Sequence, residues 1–110
     1  MSRELKTISI GMLGCGVVGS QVARLLLADT EELSTRAGVK IELARIAVRT
    51  IKPYEGLDPA LFTTDPFSIV NDPEIDLIVE VMGGVEPARE LALLAINNRK
   101  SIVTANKALL

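Results

Sequence analysis

The stretch Ile8-Ser9-Ile10-Gly11-Met12-Leu13-Gly14-Cys15-Gly16-Val17-Val18-Gly19 decides the fold. An apolar run, read as a strand over residues 7–13, feeds directly into G-x-G-x-x-G, after which the apolar residues take up a helical spacing. Each glycine has a mechanical task in such a turn. Gly14 permits the tight reversal from strand to helix, Gly16 lets the backbone come close to a pyrophosphate, and Gly19 lets the helix pack closely on the strand. Phosphates then sit at the helix N-terminus, where free N–H groups and the helix dipole favour anions. Alone, the fingerprint is a weak signal. The strand before it and the helix after it favour a nucleotide-binding unit over a purely structural glycine turn.

Outward from this turn, residues 17–36 read as one helix, with Val18, Val22, Leu25, Leu26 and Leu33 near a 3.6-residue period and Gly38 as its stop. Residues 40–49 read as the second strand, whose alternation places Ile41, Leu43 and Arg45 on one face. Pro53, Gly56 and Pro59 mark residues 50–61 as a loop, and Phe62-Thr63-Thr64 reads as a short third strand. Asp65-Pro66 is an N-cap followed by proline at the first helical position, which predicts a short helix to about residue 70, stopped by Asn71-Asp72-Pro73. Residues 76–82 form an apolar strand leading into Gly83-Gly84. Pro87 opens a helix over residues 88–98, with Leu91, Leu94 and Ala95 on one face, and residues 101–104 form a last short strand before Ala105-Asn106-Lys107. Strands alternating with helices predict an α/β, Rossmann-type, mostly parallel sheet with helices on both faces and right-handed crossovers. Ligands of such a sheet bind beyond the carboxyl ends of its strands. The loops at 14–19, 83–84 and 104–107 all follow predicted strands, so they should share one sheet edge.

Composition narrows the function. The 110 residues suffice for one small domain, and with 48% hydrophobic but only 3% aromatic residues its core must be aliphatic. A mean hydropathy of +0.34 fits a sheet buried on both faces, and equally fits apolar surface that belongs against a partner. The net charge of −2 implies no broad electropositive surface and argues against nucleic acid as a partner. The single cysteine, Cys15, excludes an internal disulfide and fits a reducing compartment; without histidine, no His-based metal site or general base can form within the chain, and no metal is expected. Residues 1–7 lack an apolar signal core and no apolar run is long enough to span a bilayer, so the expectation is a cytoplasmic chain with no membrane partner. There is no internal repeat, low-complexity tract or interdomain linker.

Several single residues carry candidate chemistry. NAD-binding sheets usually end their second strand in an acid that binds the ribose 2′-OH. Arg49 holds that position here, while Glu42 lies at the wrong end of the strand. Arg49, with Lys52 nearby, suits a 2′-phosphate, so NADP(H) should be accepted at least as well as NAD(H); the bland alternative is a solvated arginine. Cys15 lies beside a helix N-terminus, which can activate a thiol, but no base accompanies it, and a small residue tolerated in a tight turn is the better reading. Glu80 stands in an apolar strand and needs a partner if buried; a structural role and a contact to ribose or a substrate domain both remain open. Gly83 and Gly84 permit close approach of a ligand to the backbone, or simply a turn into the next helix. Lys107, taken alone, is a solvated charge.

Read together, Gly-Cys-Gly-Val-Val-Gly at 14–19, Ile-Ala-Val-Arg at 46–49, Val-Glu-Val-Met-Gly-Gly at 79–84 and Val-Thr-Ala-Asn-Lys-Ala-Leu at 103–109 resemble the N-terminal domain of homoserine dehydrogenase. The resemblance runs over residues 8–110, and the Thr-Ala-Asn-Lys and Glu-x-x-Gly-Gly segments are far more specific than the glycine fingerprint. It implies an NAD(P)-dependent enzyme that interconverts homoserine and aspartate semialdehyde on the route to threonine, methionine and isoleucine. It further implies that Val17 and Val18 contact the cofactor through the backbone of the glycine turn, that Arg49 neighbours the adenosine ribose, and that Lys107 lies beside nicotinamide and substrate as a catalytic, proton-transferring or polarising group. Hydride delivery to an aldehyde carbon leaves charge on oxygen, which a nearby cation stabilises. Enzymes of this family continue into a dimerising, substrate-binding region that supplies a second catalytic lysine and acidic residues for the substrate amine. The resemblance therefore implies that residues 1–110 are one incomplete NAD(P)-binding domain of a homo-oligomer, truncated or separately produced. The start at Met1 argues against a piece from the middle of a kinase fusion. Alone, such a domain should bind cofactor weakly and turn over substrate poorly or not at all, because the substrate is not held against the hydride donor. The rival readings are the cofactor domain of an aspartate dehydrogenase or a glucose–fructose-type oxidoreductase, and a nucleotide-binding module without chemistry. The sugar enzymes carry Glu-Lys-Pro where this chain has Asn106-Lys107-Ala108.

Overall fold

The computed structural model describes residues 6–28, 30–83 and 86–105. Strand β1 (Thr7–Leu13) leads into helix α1 (Gly16–Ala28), and α2 (Thr30–Ala37) follows, so the helix expected over 17–36 is two spans on either side of residue 29, which lies outside the described residues. Next come β2 (Lys40–Ala47), a 3-10 turn (Pro59–Leu61), β3 (Phe62–Thr63), α3 (Pro66–Val70), β4 (Leu77–Glu80), α4 (Ala88–Asn97) and β5 (Ser101–Thr104). The strands expected over 40–49 and 76–82 are thus shorter, and their last residues already belong to the loops.

The stops and starts are local chemistry. Gly38 takes a positive φ of 72°, and its N–H and that of Val39 both donate to the carbonyl of Ser34, which closes α2. The Asp65 carboxylate accepts from the N–H groups of Phe67 and Ser68 at 3.1 and 3.3 Å, and Pro66 occupies the first turn of α3, as the sequence predicts.

All neighbouring strands pair in parallel, in the order β3-β2-β1-β4-β5. The chain builds outward from β1 to β3, then crosses back to lay β4 on the other side of β1. The strand order therefore reverses between β1 and β4, which is where open α/β sheets bind their ligands. On one face Val22, Ala23 and Leu26 of α1 pack against Ile10, Met12, Leu43 and Ile46; on the other, Ile69 and Val70 of α3 and Leu91 and Ala95 of α4 cover Leu13, Ala47 and Ile78. A side chain at Gly11 would collide with Ile69, so α3 lies directly on bare β1 backbone. Among the described residues, no helix is long and apolar enough to cross a membrane.

Two packing expectations are corrected. Val18 and Leu25 are exposed, and the buried face of α1 is Gly19, Ser20 and Ala23. A helix that touches a strand backbone closely needs small residues at the contact, and the larger aliphatics flank it. In β2 the register slips by one against β1: Ile10 pairs with Leu43, but Gly11 pairs with Arg45. The extra residue, Ala44, turns the strand, so Leu43 and Ile46 face the same layer and Arg45 is exposed instead of sharing the face of Ile41 and Leu43.

Candidate functional site

The sheet ends flush. Thr63, Ala47, Leu13, Glu80 and Thr104 are successive register partners across its carboxyl edge. Main-chain bonds continue the ladder one step past the strands: Gly14 N–H donates to Ala47 at 2.8 Å, Val81 N–H to Leu13 at 2.9 Å and Ala105 N–H to Glu80 at 3.1 Å. The loops after β1, β4 and β5 therefore leave from one edge, as expected.

Over this edge, at the β1/β4 switch point, opens a cleft of about 620 Å³. Gly14 and Gly16 border it from the glycine turn, Arg49 and Thr50 from the exit of β2, Thr64 from that of β3, and Met82 and Gly83 from that of β4. The three fingerprint glycines differ in what surrounds them. Gly14, at φ 94°, sits so close to the backbone of Val81 and Met82 that a Cβ would come within 3.1 Å of it. Gly19 is buried, and a Cβ there would lie 3.0 Å from the Val81 side chain; it brings α1 onto the sheet exit and does not face the cleft. Gly16, at φ 42°, has no atom within 4 Å of where a Cβ would be, and it borders the cleft. The turn thus presents bare backbone at the first turn of α1, whose amides by position lack intrahelical acceptors. That is the surface a pyrophosphate needs, and the residues present fit a dinucleotide.

The other predicted residues fall as follows. Val17 and Val18 are 77% and 60% exposed at the start of α1 and are not among the residues that line the cleft. Arg49 is exposed at the rim of the cleft. Lys52 also borders the cleft, its Nζ 5.5 Å above the Tyr54 ring, and Tyr54 stacks on Phe62 with centroids 5.2 Å apart. Gly83, at φ 79°, has open space where a side chain would be. Gly84 and Lys107 lie outside the described residues.

Cys15 is buried beneath the turn, and burial pushes its thiol above the ordinary range, with the Arg24 charge, a Tyr54 hydrogen bond and Lys52 acting the other way. Desolvation outweighs these three, which leaves a packing residue. Glu80 is fully buried, and its carboxylate accepts from Met82 N–H and from the Thr104 hydroxyl, each at 2.6 Å. Its structural role is thereby explained within the fold. Sequence reasoning passed over Tyr54 and Thr64, and took Thr104 only as part of the Thr-Ala-Asn-Lys segment. Tyr54, the chain's single tyrosine, sits in a Pro/Gly loop where no period betrays burial, and Thr64 follows a strand too short to stand out.

A family model described as "Homoserine dehydrogenase, NAD binding domain" matches residues 14–110. A homoserine dehydrogenase from Corynebacterium glutamicum is 46% identical over 103 residues, which are 93% of this chain and 23% of that protein. One from Methylobacillus glycogenes is 44% identical over 108 residues, 96% of this chain and 26% of that one. The crystal structure of a homoserine dehydrogenase from Thiobacillus denitrificans superposes with a TM-score of 0.88 at 48% identity, covering 98% of this chain and 25% of that one. The chain spans about a quarter of the length of these relatives.

Proposed function

The chain belongs to the homoserine dehydrogenase family, as its NAD-binding domain, and on that premise we propose that residues 1–110 are an incomplete cofactor domain of an enzyme interconverting L-homoserine and L-aspartate 4-semialdehyde. The observation that carries the proposal is the convergence of the glycine turn with the exits of β2 and β4 on one cleft at the switch point. A bound nicotinamide supplies or accepts the hydride. The amides of Gly16, Val17 and Val18 hold the pyrophosphate, and the absence of a side chain at Gly16 lets it approach. Gly14 and Gly19 shape the turn rather than touch the ligand. Arg49 and Lys52 take the adenosine ribose, and their charge suits a 2′-phosphate, so NADP(H) is used at least as well as NAD(H). Gly83 leaves the exit of β4 open to the other half of the cofactor, and Gly84, next in sequence, is a further cofactor contact. Lys107, three residues beyond Thr104, stabilises charge on the substrate oxygen and passes its proton. Residues outside these 110 hold the substrate and the contacts of a cytoplasmic homo-oligomer; neither nucleic acid nor membrane is a partner. Alone, the 110 residues bind cofactor weakly and turn over little, because positioning of substrate is missing.

Titration of the chain with NADPH and NADH, followed by nicotinamide fluorescence, tests the reading. Saturable binding is expected, and Gly16→Val should abolish it by forcing a β-branched side chain into positive φ and into the cradle. Binding unchanged in Gly16→Val, or absent from the parent chain, would overturn it.

A further inference from the structure

We propose that Glu80 is a positioning residue for the nicotinamide half of the cofactor, resting on the cofactor reading above. One residue here ties two loop exits together. Its Oε2 accepts from Met82 N–H at 2.6 Å, its Oε1 accepts from the Thr104 hydroxyl at 2.6 Å, and its carbonyl accepts from Ala105 N–H at 3.1 Å. Met82 and Gly83 border the cleft, whereas Glu80 lies beneath it with no exposed surface. It therefore acts through its neighbours.

An acid is a costly choice for a fully buried strand end, where an aliphatic residue suffices elsewhere in the sheet, as at Leu13. What the carboxylate adds is two acceptors, each short and charge-assisted, which fix the backbone of the β4 exit relative to that of the β5 exit. Those exits lie on the far side of β1 from Arg49 and Thr50. In a sheet of this topology the adenosine lies over the end of β2, the pyrophosphate at the start of α1, and the remaining half of the dinucleotide crosses toward β4. Loss of the Glu80 clamp thus loosens the floor under the nicotinamide ring. The glycine turn abuts Met82 but keeps its own anchor, the Gly14 N–H bond to Ala47, and the adenosine rim lies beyond β1, so both change less. Glutamine keeps an acceptor for Met82 N–H but turns the bond to Thr104 round, its amide donating to the hydroxyl, and it loses the carboxylate charge.

The test compares NADPH with 2′-phospho-ADP-ribose, the same cofactor without its nicotinamide ring. Both are titrated into the parent chain, Glu80→Gln, Thr104→Val and Thr104→Ser by calorimetry. NADPH affinity should fall about tenfold in Thr104→Val, as for loss of one hydrogen bond to a charged group, and by less in Glu80→Gln, whose amide still reaches both partners. Affinity for the ring-free ligand should stay within about twofold, as for an independent site. Thr104→Ser should bind NADPH like the parent. A merely structural role would weaken both ligands in parallel, and that result overturns the proposal. So does unchanged NADPH binding in both variants, or a parent that binds NADPH no more tightly than the ring-free ligand. If Glu80→Gln does not fold, Thr104→Val decides by the same comparison. A parent chain that binds neither ligand overturns the cofactor reading itself, and this proposal with it.

Discussion

Arg49 stands at the one position where the chain departs from the usual acid of an NAD site, and it stands at the rim of the cleft. A carboxylate there accepts from a ribose hydroxyl, while a guanidinium pairs with a phosphate. Arg49→Ala is accordingly expected to reduce NADPH affinity about tenfold more than NADH affinity, the value of a charge-assisted pair. Parallel titrations read the ratio directly, and an unchanged ratio would make Arg49 a solvated surface residue. The neighbouring Cys15 illustrates how burial overrules position. A helix start can favour a thiolate, but burial here raises the thiol despite Arg24, Tyr54 and Lys52, so it stays protonated at neutral pH.

At the scale of elements, α3 is five residues long and depends on its start. Asp65 satisfies two otherwise free amides and Pro66 presets the first turn. Asp65→Ala should cost about 1 kcal/mol in urea unfolding. No measurable loss would assign the start to Pro66 and the packing of Ile69 alone. Strand order of the chain, helix caps and the glycine turn were legible because each is written in adjacent residues. The face of α1 was not, because periodicity ranks residues by hydrophobicity, whereas contact with a strand backbone selects Gly19 and Ala23 by size. The slip at Ala44 was equally hidden: it arises from pairing β2 with β1, a relation between residues more than 30 positions apart in the chain. In the site, the glycines and Arg49 could be named from spacing. Tyr54 and Thr64 could not, since the loops after β2 and β3 bring them there without a pattern of their own.

For the molecule as a whole, β1 is the hub. It pairs with β2 and β4 and is covered on both faces, while β3 and β5 lie at the borders of the sheet. Amide exchange should therefore be slowest in β1 and fastest among the strands in β3 and β5. Exchange mass spectrometry checks the order; β5 outlasting β1 would contradict it. The amino edge of the sheet is braced by side chains. Asp76 accepts from Ser9 N–H at 2.9 Å, Asn98 donates to the Val70 carbonyl at 2.8 Å, and the buried Lys100 amine donates to the carbonyls of Asp72 and Ile75. None of these residues borders the cleft at the opposite edge. Heritable variation at the two edges consequently has different currencies: change at the braced edge alters how many molecules a cell keeps folded, and change at the open edge alters what each folded molecule selects.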